Sequence, residues 1–180
     1  MDDVPVPARQ GEDNTGIILD AIAQHNHRHD RTIPDPVRAT FFVIASHLRT
    51  GSTIVQRIRQ EGHEIGNHGY VDDNVVFEHP DLFKLQFEAT HHALQRHGAG
   101  PIRWYRPARA LYNRQMLETV KANGYEKRMA LASMLPLDAT DGFMGHPLLT
   151  RGHIALSTFP GAILLLHGGT KQRSINTAKV

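Results

Sequence analysis

Residues 61–73, EGHEIGNHGYVDD, close a short apolar run on Asn67 and His68 and then offer Asp72 four residues later. An imidazole and a carboxylate at that spacing can ligate one metal ion, and can equally stand in a solvated loop. Asp73, one residue on, is a rival for the same role. The opening stretch MDDVP places Asp2 beside Asp3, where a first strand would end. Adjacent residues of an extended chain point in different directions, so one carboxylate could bind a metal while its neighbour faces a reacting water. Read alone, the dipeptide is a polar terminus. Three more apolar runs finish on residues able to do chemistry: IRWY on Arg106, RMALASMLPL on Asp138 and AILLL on His167. Strand ends of parallel α/β folds converge on one face, and that face carries the active site. Four such endings, counting His68, point to a shared site.

The elements that must position these residues alternate in character. TGIILDAIAQH puts Ile17, Ile18, Ala21 and Ile22 at helical spacing behind Asn14 as a cap, and the polar NHRHDRTIPDP reads as a loop. ATFFVIA is a continuous apolar run, as expected of a strand buried on both faces. STIVQRIRQEG predicts a helix with Ile54, Val55 and Ile58 on one face and Gly62 past its end. HEIGNH follows as a strand. PDLFKLQFEATHHALQRHG predicts a helix whose buried stripe is Leu82, Leu85, Ala89 and Ala93, stopped at Gly98. IRWYR is a strand, NRQMLETVKANG a helix capped by Asn113 and ended at Gly124, and RMALASM and GAILLLH two buried strands. Alternation of this kind implies a mainly parallel sheet covered by helices, as a βα barrel or an open doubly wound sheet.

Composition narrows the class. A chain of 180 residues suits one domain with a single core. Its 40% apolar and 21% charged residues are those of a globular protein, not a disordered or fibrous one. The net charge of +2, without a long basic block, gives no footprint for nucleic acid. With no Cys, disulfides and thiolate zinc sites are excluded. Thirteen His are unusual for a side chain so often used to bind metals or move protons, though many lie in polar stretches such as HNHRHD and read as solvated. No apolar run reaches the roughly 18 residues of a transmembrane span.

In motif order the chain resembles the polysaccharide deacetylases, the carbohydrate esterase family of chitin and peptidoglycan deacetylases. MDDVP is similar to the family's Phe-Asp-Asp-Gly-Pro motif, RATFFVIASHL to the strand after it, and GHEIGNHGYVDD to the metal-binding motif. YRPARALYN resembles the Arg-Pro motif, MLPLDA the segment with the orienting Asp, and GAILLLHGG the Leu-rich motif ending in His. The resemblance implies an irregular (β/α) barrel of the deacetylase type over residues 1–180, a single catalytic domain incomplete at both ends: it lacks the first strand and the last helix and strand. It implies Asp2 as general base, Asp3, His68 and Asp72 as metal ligands, Arg106 as the partner that holds the base, Asp138 as the orienting carboxylate and His167 as general acid. It also implies a divalent metal, Zn²⁺ first with Mn²⁺ or Co²⁺ as competitors, an N-acetylated carbohydrate substrate and work in the cell envelope or outside the cytoplasm.

The departures from the family pattern carry chemistry. Asp72 stands where most members have a second His, which makes the ligand set harder and more negative and Zn²⁺ less exclusive. Gly69 replaces the usual Ser or Thr after the first His, and Ala139 the usual Trp near the orienting Asp. Trp104 and Tyr105 are expected in core and rim, and His91 and His92 as surface or packed residues. Two other functions compete: hydrolysis of a small cyclic amide or ureide at the same site, and a catalytically silent carbohydrate-binding domain.

Overall fold

A computed structural model describes residues 1–5, 14–29, 35–134, 138 and 146–180. The chain divides into two compact units, Thr40–Leu131 and the pair of segments Met1–Ala39 with Ala132–Val180.

The Thr40–Leu131 unit holds a parallel sheet in the order β1 (Thr40–Val43), β2 (Glu64–Asn67), β3 (Trp104–Tyr105), β4 (Arg128–Met129). Among the described residues the sheet is open, and each strand lies beside the next in sequence. That order follows from the helical crossovers: α2 (Ile54–Gln60) joins β1 to β2, α3 (Pro80–Arg96) joins β2 to β3, and α4 (Arg114–Ala122) joins β3 to β4. β1 buries Phe41, Phe42 and Val43 in succession, as its unbroken apolar run predicts. Gly66 makes room for this, because a Cβ there would meet the Phe42 ring at 2.4 Å. α2 buries Ile54, Val55 and Ile58 on the expected face. In α4 the Asn113 side chain accepts from the Met116 N–H at 3.0 Å, the predicted cap.

α3 faces the core in a different phase from the expected one. Its buried residues are Phe83, Phe87, Thr90 and Leu94, while Leu82, Leu85 and Ala89 are exposed and Ala93 is half-buried. Both stripes are apolar at helical spacing. The aromatic one prevails because two Phe rings bury more surface and pack edge-on against Tyr105 and beside Tyr125, at 4.8–5.8 Å between centroids. Thr90 tolerates burial because its hydroxyl donates to the Gln86 carbonyl at 2.8 Å.

In the other unit, α1 (Thr15–Arg28) packs against α6 (Lys171–Ala178), and α5 is Pro147–Ser157. α1 runs three residues past the expected boundary, and Asn26 inside it grips the Val37 backbone in both directions, at 2.8 and 3.1 Å. Asn14 stands before α1 but does not cap it; its amide donates to the Gly169 carbonyl. RMALASM and GAILLLH do not form two continuous strands. The first contributes β4 and then a lone bridge from Met134 to Leu164, and the second a further bridge from His167 to Asp2. Ser133 interrupts the pairing: its hydroxyl takes the Ile163 N–H at 2.7 Å, where a regular ladder would use a backbone carbonyl. Ala139 and residues 30–34 of the NHRHDRTIPDP segment lie outside the described residues. No helix among the described residues is long and apolar enough to cross a membrane.

The phase of α3 is open to a direct check. Phe87→Ala, at a site 1% exposed, should destabilise by about 3–5 kcal/mol, while Leu85→Ala, 64% exposed, should stay within about 0.5 kcal/mol in urea unfolding. Equal losses would restore the Leu82–Leu85 stripe to the core.

Candidate functional site

Parallel pairing continues for one residue past β2, β3 and β4. The His68 N–H donates to the Val43 carbonyl at 3.0 Å, Arg106 to Asn67 at 2.9 Å, and Ala130 to Tyr105 at 2.8 Å. The exits of β2 and β3 are thereby tied side by side on the C-terminal edge. His68 is 4% exposed, and its Nδ1 lies 2.7 Å from the Arg106 carbonyl. A carbonyl only accepts, so Nδ1 carries the proton and Nε2 keeps its lone pair, the arrangement by which proteins orient a metal-binding imidazole. The Arg106 guanidinium, also buried, donates to the Ala130 carbonyl at 3.0 Å.

The turn after His68 explains one departure. Gly69 has φ +90°, a left-handed conformation costly for a side chain with a Cβ, so Gly replaces the usual Ser or Thr. The chain then folds back so that an Asp72 carboxylate oxygen and a His68 ring nitrogen lie within 4.8 Å of each other, a span one cation can bridge. Asp73 is occupied differently: its Oδ1 accepts from the Asn74 N–H at 2.7 Å. The donor set suits a divalent cation, with one imidazole nitrogen prepared and one carboxylate beside it.

In the Met1–Ala39 and Ala132–Val180 unit, Asp2 is held at both ends of its peptide. Its N–H donates to the Leu166 carbonyl at 2.9 Å and its carbonyl accepts from Gly168 at 3.1 Å, which sets Asp2 beside His167 in parallel register. Both oxygens of the buried Asp138 engage His167: Oδ2 accepts the backbone N–H at 2.6 Å, and Oδ1 lies 3.2 Å from Nδ1. The carboxylate thus fixes backbone and ring together. Asp3 has φ 59°, a left-handed backbone rarely taken by residues other than Gly and often found at functional sites.

Residues 35–127, just over half of the 180, match the family model described as Polysaccharide deacetylase. The chain belongs to the polysaccharide deacetylase family. It is 28% identical over 162 residues to a peptidoglycan-N-acetylglucosamine deacetylase of Bacillus cereus, a match covering 88% of this chain and 54% of the relative. The chain spans about half the length of the curated relatives it matches. Its fold resembles that of a family 4 acetyl xylan esterase from Clostridium thermocellum solved with a cobalt ion (TM-score 0.77, 20% identity, 99% of this chain and 77% of that one). It also resembles a CE4-family pseudoenzyme from Bacillus anthracis (TM-score 0.73, 19% identity, 99% and 58%).

Sequence reasoning missed a polar chain behind His68. Asn67, fully buried, accepts from the Gly69 N–H through Oδ1 at 2.8 Å and donates through Nδ2 to the Tyr125 hydroxyl at 3.1 Å. That hydroxyl lies 3.0 Å from Nδ1 of His91, expected above only as a surface or packed residue. The one available signal was an Asn directly before the ligand-type His. Burial, and then the neighbouring His92, lower the pKa of His91 from its ordinary value. The unfolded chain then takes up this proton at a higher pH than the folded one. Stability from this group is therefore full above about pH 6.5 and is lost as pH falls toward the depressed folded value. Thermal melts from pH 7.5 down to 5.5 should show a smaller loss in His91→Gln than in wild type; parallel profiles would refute the sign.

Proposed function

We propose that this domain is a divalent-metal-dependent deacetylase that removes N-acetyl groups from a carbohydrate of the peptidoglycan or chitin type, acting in the cell envelope or outside the cytoplasm. Family membership supports the reaction class, and the observation that carries the site is that His68, oriented through Nδ1 by the Arg106 carbonyl, has a ring nitrogen within 4.8 Å of an Asp72 carboxylate oxygen. Asp3 is the proposed third ligand, supported by the Asp-Asp motif and its left-handed backbone. That the open sheet belongs to the family's irregular (β/α) barrel, and residues 1–180 to one catalytic domain, is part of the same reading.

A divalent cation bound there would lower the pKa of water and polarise the acetyl carbonyl. The remaining steps are assigned to the chain's own groups. Asp2 takes the proton of the attacking water as the C–O bond forms, and Arg106 holds the Asp2 carboxylate in place. His167, protonated and steered by Asp138, gives its proton to the sugar nitrogen as the C–N bond breaks, because an unprotonated amine leaves poorly. Separating base from acid on differently partnered groups lets both work at one pH. With two carboxylates and one imidazole, the set accepts Co²⁺ and Mn²⁺ as well as Zn²⁺.

Two measurements test the reading. His68→Ala should abolish metal binding by elemental analysis, and His167→Ala should keep the metal while acetate release from chitin oligomers or peptidoglycan fragments falls by about 10²–10⁴. Wild type holding less than a tenth of an equivalent of metal would favour a silent domain. Asp72→Asn should weaken metal binding at least tenfold and Asp73→Asn leave it within about twofold; the reverse order would move the ligand to Asp73.

A further inference from the structure

Behind the proposed metal ligand, four groups form a chain of hydrogen bonds, and proton counting fixes the direction from Gly69 through Asn67 to Tyr125. The Gly69 N–H can only donate, so the Asn67 atom 2.8 Å away must be its oxygen, Oδ1. The Asn67 amide nitrogen then faces the Tyr125 hydroxyl at 3.1 Å and donates to it. The hydroxyl has one proton of its own, and the remaining partner is His91 Nδ1 at 3.0 Å. With His91 neutral and its own proton on Nε2, Nδ1 accepts the hydroxyl proton and every group in the chain is satisfied. Reversing the Asn67 amide would set its NH₂ against the Gly69 N–H and its oxygen against a hydroxyl already committed to His91. In a side chain with no exposed surface, that mismatch has no water to relieve it.

The Gly69 N–H belongs to the first peptide after His68, and the orientation of that peptide is the ψ angle of His68. Asn67 Oδ1 thus holds the backbone from which the imidazole is aimed, while the Arg106 carbonyl holds the ring itself. We infer that Tyr125, supported by His91, is a positioning residue for the metal site: its hydroxyl locks the Asn67 amide, and the amide locks the turn that presents His68. Burial pushes the Tyr125 phenol up to about 12, so its proton stays in place through the neutral range. The support comes from α3 and from the residues after α4, so the arrangement exists only once these have packed against the sheet.

The inference rests on the metal-centre reading, and its test separates the two. Visible-absorption titration with Co²⁺ of the purified chain reads metal affinity without any turnover. Tyr125→Phe should bind Co²⁺ about 10-fold more weakly, the lower end of the effect of losing an outer partner of a metal ligand. His91→Leu, at a half-buried position, should weaken it in the same direction, and His91→Gln, whose amide oxygen can accept from the phenol, should recover most of the loss. Ile58→Val, a methyl lost from the buried face of α2, gives a control of similar general destabilisation and should keep Co²⁺ affinity within twofold. Unchanged affinity in Tyr125→Phe, or an equal loss in Ile58→Val, would overturn the positioning role. Should Tyr125→Phe fail to fold, wild-type affinity in His91→Leu would overturn it. Absence of Co²⁺ binding by wild type would overturn the metal-centre reading, and this inference with it.

Discussion

The structure depends first on a backbone constraint. Parallel strands must exit on the same edge, and here the pairing runs one residue beyond β2, β3 and β4, so that His68, Arg106 and Ala130 are each tied through their N–H to the last carbonyl of the strand before. This bonding sets His68 and Arg106 next to each other on one edge of the sheet. The N–H groups at the strand ends would otherwise be buried without partners, at a cost of about 1–3 kcal/mol each. Satisfying the backbone and assembling the edge are one event.

On that edge, and again in the other unit, the same device recurs: an acceptor on Nδ1 decides what Nε2 can do. For His68 the acceptor is a carbonyl, which is neutral and leaves Nε2 basic enough to ligate. For His167 it is the Asp138 carboxylate, 3.2 Å from the ring nitrogen. Two histidines of one chain thus meet acceptors of different charge at the same ring nitrogen. The difference lies in their partners.

Local chemistry made much of this legible. β1 and α2 follow from an unbroken apolar run and a clean helical face, and the α4 cap from an Asn at the right offset. α3 misled because its sequence carries two apolar stripes, and the choice between them rests on rings supplied by β3 and by the segment after α4. GAILLLH misled because apolar content says nothing about whether a neighbour such as Ser133 will replace a ladder bond with a side chain. His91 looked inert because helical spacing cannot reveal that a phenol 34 residues away will meet its ring.

By itself the sequence determined the kinds of groups available, their order and the strands that lead to His68 and Arg106, since residue type and periodicity are local properties. It also marked the family, through motifs whose order survives low identity. Only the tertiary structure decided that Nδ1 of His68 donates to the Arg106 carbonyl, that an Asp72 oxygen comes within 4.8 Å of a His68 ring nitrogen, and that Asn67, Tyr125 and His91 form one chain of bonds. Those outcomes turn on register and burial, which bring together residues far apart in the chain, and a hydrogen-bond direction is defined only when every partner is in place.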